Sequence, residues 1–190
     1  VGAAIKMQHE LNELNKSDVY NKNPISIGIG INTGMMMLGT IGEDDRMEGS
    51  VISDAVNLAA RLEELTKVYK AKILISEDTA TNLKLGSFST RLVDVVAVKG
   101  RAEAVRVFEV LDGESHDIYN GKILTKPIFS KAFDLYQAQK IEEALKLFSE
   151  CKEENPTDGA VDYYIQYCEQ LIEKGWNSET WDGVNRRTIK

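Results

Sequence analysis

Apolar residues recur at Ala4, Met7, Leu11 and Leu14, a spacing that predicts an amphipathic helix over 3–16. The Asn- and Pro-bearing stretch 17–24 reads as a turn-rich linker. From 25 to 32 the pattern changes to alternation, with Ile25, Ile27, Ile29 and Ile31 on one face and Ser26, Gly28, Gly30 and Asn32 on the other, which is the period of a strand. Its second face is almost bare and admits something large, either a helix backbone or a ligand. Thr33-Gly34 reads as a turn and 35–41 as a returning strand, so 25–41 is expected to be a hairpin whose three consecutive methionines fill core space. A further turn is expected at Gly42-Glu43-Asp44-Asp45.

The clearest helix runs over 54–69, entered through Ser53 or Asp54, with Ala55, Leu58, Ala59, Leu62 and Leu65 on one stripe. Short elements come next: a strand at 72–76, a helix at 78–83, and strands at 91–98 and 105–111 joined through Lys99-Gly100-Arg101. Mingled helices and strands favour an α/β or α+β sandwich. The pattern breaks into Gly, Ser, Asp and Asn over 112–126, which reads as a linker to an all-helical unit over 127–175 and a tail over 176–190. In that unit Ala144, Phe148, Cys151 and Pro156 have the offsets of the second half of a tetratricopeptide repeat, and a helix over 159–174 would cap it. One such repeat is too few to stand alone, so it is expected to lean on the preceding domain.

Composition narrows the partners. The 190 residues carry a formal charge of −7, so a nucleic acid is not an expected partner. No apolar run reaches the length of a membrane span, and Cys151 and Cys168 have no nearby His to make a metal site, which together fit a reducing, cytoplasmic setting. The chain opens in mid-helix without Met, as a piece of a longer protein would.

Candidate chemistry lies in 48–63. Asn57 and Arg61 are one helical turn apart, both beside the apolar stripe, and so project the same way. A guanidinium and a carboxamide aimed at one point suit a phosphate on a ribose. The plainer alternative is a surface Asn beside an Arg paired with Glu64 or Glu48.

Further motifs occur in order: 27–34, Gly39-Thr40-Ile41-Gly42, Arg46-Met47-Glu48, 54–63, Val98-Lys99-Gly100-Arg101 and Val107-Phe108-Glu109-Val110. Together they resemble the class III nucleotidyl cyclases, the adenylate and guanylate cyclase family, over residues 1–111. The resemblance implies a ferredoxin-like cyclase catalytic fold, N-terminally incomplete here, followed by the small all-α tail. It also implies conversion of a nucleoside triphosphate to a 3′,5′-cyclic monophosphate and pyrophosphate at a dimer interface. Asn57 would orient the ribose and Arg61 would stabilise charge on the pentavalent phosphorus. Ser50, with Val51 beside it, stands where the base is read, and its hydroxyl leans towards ATP over GTP. Lys99 matches a lysine that meets the triphosphate.

Two departures stand out. The family usually has an aromatic residue at the position of Gly49 and Gly at the position of Ser53. The two aspartates that bind two Mg²⁺ or Mn²⁺ ions, and the lysine that shares in reading the base, precede residue 1 in the family's order, and Asp44 and Asp45 lack the context to replace the aspartates. This chain is therefore expected to hold the transition-state half of an adenylate cyclase without its metal half. By itself it would be inactive, and it would associate as a homodimer or with another cyclase half. The parent would work in the cytoplasm or on the cytoplasmic face of a membrane. A guanylate cyclase and a non-catalytic cyclase-like regulatory or dimerisation domain are the alternatives. The helical tail would support packing or dimerisation, or read a protein partner, and Trp176 and Trp181 would dock onto the catalytic part.

Overall fold

A computed structural model of the chain describes residues 1–17, 20, 22–43, 46–52, 54–97 and 104–175, with the backbone alone at 37–43 and 46–52. The elements are α1 (Gly2–Asn15), β1 (Ile29–Ile31), β2 (Met37–Glu43), β3 (Arg46–Ile52), α2 (Asp54–Tyr69), β4 (Ile73–Ser76), α3 (Glu77–Thr81), β5 (Thr90–Val96), β6 (Val105–Val110), α4 (His116–Gln137), α5 (Ile141–Glu154) and α6 (Gly159–Lys174). The expected α/β class with a helical C-terminal segment is what is found.

Four strands form a mixed sheet in the order β1-β4-β6-β5, and β2 pairs with β3 apart from it. β1 and β4 are parallel, with Gly30 opposite Leu74. A parallel pair needs a crossover, and here the β2–β3 hairpin and α2 make it. The hairpin expected at 25–41 is therefore corrected. Ile29–Ile31 is the strand of that run, its partner is β4, and the hairpin lies further on, with Gly39 opposite Ser50. Parallel pairing leaves no local turn signature, and the small residues Gly49 and Ser50 hid β3. The methionine expectation is corrected as well, because Met35 and Met36 are 94% and 60% exposed.

Alternation along β4 sends its side chains to two cores. Ile73 and Ile75 pack with Ala4 and Ile5 of α1 on one face. Leu74 joins Val93, Val96 and Val107 on the other, in a cluster that continues through Leu58 and Leu62 of α2 into Phe129, Phe148 and Tyr164 of α4–α6. The C-terminal helices thus share the core of the sheet.

The linker expected at 112–126 is corrected too: after a 3-10 turn at Leu111–Gly113, α4 begins at His116. Its apolar stripe was concealed because two of its buried positions, Lys122 and Thr125, are polar. The stripe Ala144, Phe148 and Cys151 of α5 is buried as expected. α6 is capped by Asp158, whose carboxylate accepts from the Ala160 amide at 3.1 Å, and it ends at Gly175 with φ of 63°. The tail at 176–190, with Trp176 and Trp181, lies outside the described residues.

Candidate functional site

The site is organised by the seating of α2 on the sheet. Any Cβ at Gly30 would overlap the Ala59 carbonyl and the Glu63 amide, and one at Gly28 would overlap Thr66. The bare face of the strand is therefore bare for a helix, and of the two occupants the pattern allowed, the structure places the helix backbone there.

Leu58, Leu62, Leu65 and Tyr69 form the buried stripe of α2, while Asn57 is exposed and Arg61 half-buried at its margin. Arg61 Nη1 donates to the Ala97 carbonyl at 2.6 Å, just past the end of β5. Ala97 leads into 98–103, which contains Lys99 and lies outside the described residues, as do Ser53, Asp44 and Asp45. Ser50 and Val51 lie on β3, opposite Gly39 and Leu38.

A polar knot fixes the first turn of α2 over the C-terminal ends of β1 and β4. Asn32 Nδ2 donates to the Ala55 carbonyl at 3.0 Å, and Ser76 Oγ donates to Asn32 Oδ1 at 2.6 Å. Ser76 also caps α3 by accepting from the Thr79 amide, and the Thr33 and Thr79 hydroxyls lie 3.1 Å apart. The ends of parallel strands are where α/β sheets place their ligands. Sequence reasoning missed Asn32 and Ser76. The one trace of Asn32 was a carboxamide on a face otherwise made of glycine and serine.

It also missed a buried ionic network at the start of β5. Arg91 Nε donates to Glu109 at 2.7 Å, and its two terminal nitrogens grip Asp158 at 2.5 and 2.8 Å. Lys122 Nζ reaches Glu109 at 2.6 Å and Glu114 at 2.5 Å. The Arg91 guanidinium also lies 4.4 Å from the centre of the Phe129 ring. Burial alone would raise the Asp158 carboxyl, but the hydrogen bonds and charge of Arg91 outweigh it and hold the group low. At Glu114 burial wins over Lys122 and the carboxyl is held high. Burial pushes the Cys151 thiol up to about 11 and Cys168 up to about 12, so neither is a ready thiolate.

The domain is mixed α/β, with Asn32 and Ser76 at the ends of the parallel pair β1 and β4 and Arg61 at the end of β5. Residues 1–111 match the family described as the adenylate and guanylate cyclase catalytic domain, and the chain belongs to that family. Domains of this family act on nucleoside triphosphates, generally use divalent metal and typically dimerise.

The terminal-differentiation specific adenylate cyclase of Dictyostelium discoideum is 41% identical over 174 residues, covering 90% of this chain and 8% of that protein. That alignment runs past residue 111 into the C-terminal helices. An adenylate cyclase of Anabaena cylindrica is 44% identical over 115 residues, covering 57% of this chain and 23% of its own length. The chain thus spans under a quarter of either relative. Among solved structures, the adenylyl cyclase CyaB from P. aeruginosa gives a TM-score of 0.48 at 33% identity, covering 60% of this chain and 57% of that one.

Among the described residues no three His, Cys, Asp or Glu side chains are grouped to hold a metal ion. No helix among them is long and apolar enough to cross a membrane.

Proposed function

We propose that this chain is the ribose- and phosphate-positioning part of an adenylate cyclase, which converts ATP to 3′,5′-cyclic AMP and pyrophosphate. In this reaction the ribose 3′-oxygen bonds to the α-phosphorus, the bond from that phosphorus to the β-phosphate bridging oxygen breaks, and the hydroxyl proton is released. Asn57 orients the ribose so that the 3′-oxygen faces the phosphorus, and Arg61 donates to the α-phosphate oxygens as charge builds on them. Ser50 and Val51 meet the base, and Lys99 meets the triphosphate as a point charge. The working unit is a dimer of these domains, or a pair with another cyclase half, and the two Mg²⁺ or Mn²⁺ ions bind to aspartates outside the residues described.

The observation that carries this reading is the pairing of Asn57 and Arg61 one turn apart on α2, with Arg61 held at the Ala97 carbonyl just before the segment that contains Lys99. The test is a product assay on the full-length protein, ATP against GTP with Mn²⁺, beside its Asn57→Ala variant. Cyclic AMP and pyrophosphate in equal amounts, with a fall of about 10²- to 10³-fold in the variant, are expected. A preference for GTP would overturn the role of Ser50. Absence of cyclisation would make a non-catalytic regulatory domain the better reading.

A further inference from the structure

The pairing of β5 with β6 shifts register between Leu92 and Asp94, leaving Val93 as an extra residue, a β-bulge. A bulge re-aims the strand beyond it, and the strand beyond this one leads to Ala97, the acceptor for Arg61. Three side chains hold the bulge in place. Tyr164 of α6 donates its hydroxyl to the Val93 carbonyl at 2.6 Å, with its ring stacked on Phe148 at 5.0 Å. Asp94 accepts from the Val95 amide at 2.7 Å through one oxygen and from the Tyr69 hydroxyl at 2.5 Å through the other. Tyr69 lies two turns beyond Arg61 on α2. α2 is therefore tied to β5 at both ends of one short span, by Tyr69 to Asp94 and by Arg61 to Ala97.

We infer that Tyr164, Tyr69 and Asp94 are positioning residues for Arg61, and that α6 is thereby part of the catalytic unit. The inference rests on the cyclase reading and deepens it. The three residues touch no substrate. They set where the Ala97 carbonyl stands, and that carbonyl sets where the guanidinium points. Each hydroxyl is buried against a partner that a free strand would not hold in place. Loss of either lets the bulge relax and moves the acceptor, and small misplacements of a charge-stabilising group cost rate steeply. The alignment of the Dictyostelium relative through these helices as well as the cyclase part fits one unit.

In the full-length protein, Tyr164→Phe and Tyr69→Phe keep the rings and remove the hydroxyls. Either is expected to lower kcat for cyclic AMP about tenfold, the kinetic equivalent of roughly one hydrogen bond, with KM for ATP unchanged. On an Arg61→Ala background the same change is expected to cost no further rate, because the group it positions is gone. A hydroxyl that only stabilises the fold would lower the melting temperature yet leave kcat unchanged well below it, and that result overturns the inference. So do rate losses that multiply with that of Arg61→Ala. Should Tyr164→Phe fail to fold, Tyr69→Phe gives the same comparison. A parent protein without cyclase activity overturns the cyclase reading and this inference together; an active parent with unaffected variants overturns this inference alone.

Discussion

The missing side chain at Gly30 is what lets α2 touch β1. A methyl group there overlaps two backbone groups, which cannot rotate aside as a flexible side chain would. Gly30→Ala is expected to destabilise the chain by about 3 kcal/mol, read as a lower urea midpoint with an unchanged slope; an unchanged midpoint would show that α2 sits elsewhere. The glycines were legible in the sequence as a bare face, but alternation reports space and not its occupant. The shared place of Asn57 and Arg61 at one margin of α2 was legible because helical neighbours are four residues apart. The partner of Arg61, Ala97, is 36 residues away and left no mark on the local pattern. Arg91, Glu109, Lys122 and Asp158 escaped for the same reason, since charged residues read as surface until a partner from another element buries them.

α4, α5 and α6 close one face of the sheet. They cover Val93 and Val96, supply Asp158 and Lys122 to the buried Arg91 and Glu109, and pack Tyr163 and Tyr164 against Tyr69. Ending the chain after Leu111 would leave Arg91 without Asp158 and Glu109 without Lys122, and would open the apolar face of Leu74, Val93, Val96 and Val107 to water. Such a truncation is expected to lose its cooperative urea transition and to bind a hydrophobic dye. A soluble 1–111 fragment with a sharp transition would show the helices to be a separate module. Among these elements α5 and α6 were legible, because each has a clean apolar stripe and α6 has an Asp cap and a closing Gly. The first half of α4 was not, since Lys122 and Thr125 occupy buried positions. The β2–β3 hairpin was displaced in the sequence reading because the isoleucine run suggested a local partner, whereas β1 pairs in parallel with β4 across a crossover.

In the molecule as a whole, the ionic network joins the cyclase sheet to the helices and gives its stability a pH dependence. Asp158 is held below its usual range in the folded state, so its contribution is complete above about pH 4 and is lost as the pH falls below that. Glu114 is held above its usual range, so its part runs the other way and weakens as the pH rises from about 4. Denaturant unfolding between about pH 6 and pH 2 is expected to show a steep acid loss in this chain and a shallower one in Asp158→Asn, which starts from lower stability. Equal acid slopes would mean that the Arg91–Asp158 pair does not govern the acid limb. In the proposed reading α2 and the end of β5 hold the Arg61 guanidinium where charge develops, so the decisive experiment is the steady-state kinetics of Arg61→Ala in the full-length protein with ATP. The expected result is a kcat lower by about 10²- to 10³-fold with KM little changed; a kcat within twofold of the parent would contradict the assignment of Arg61 to the transition state.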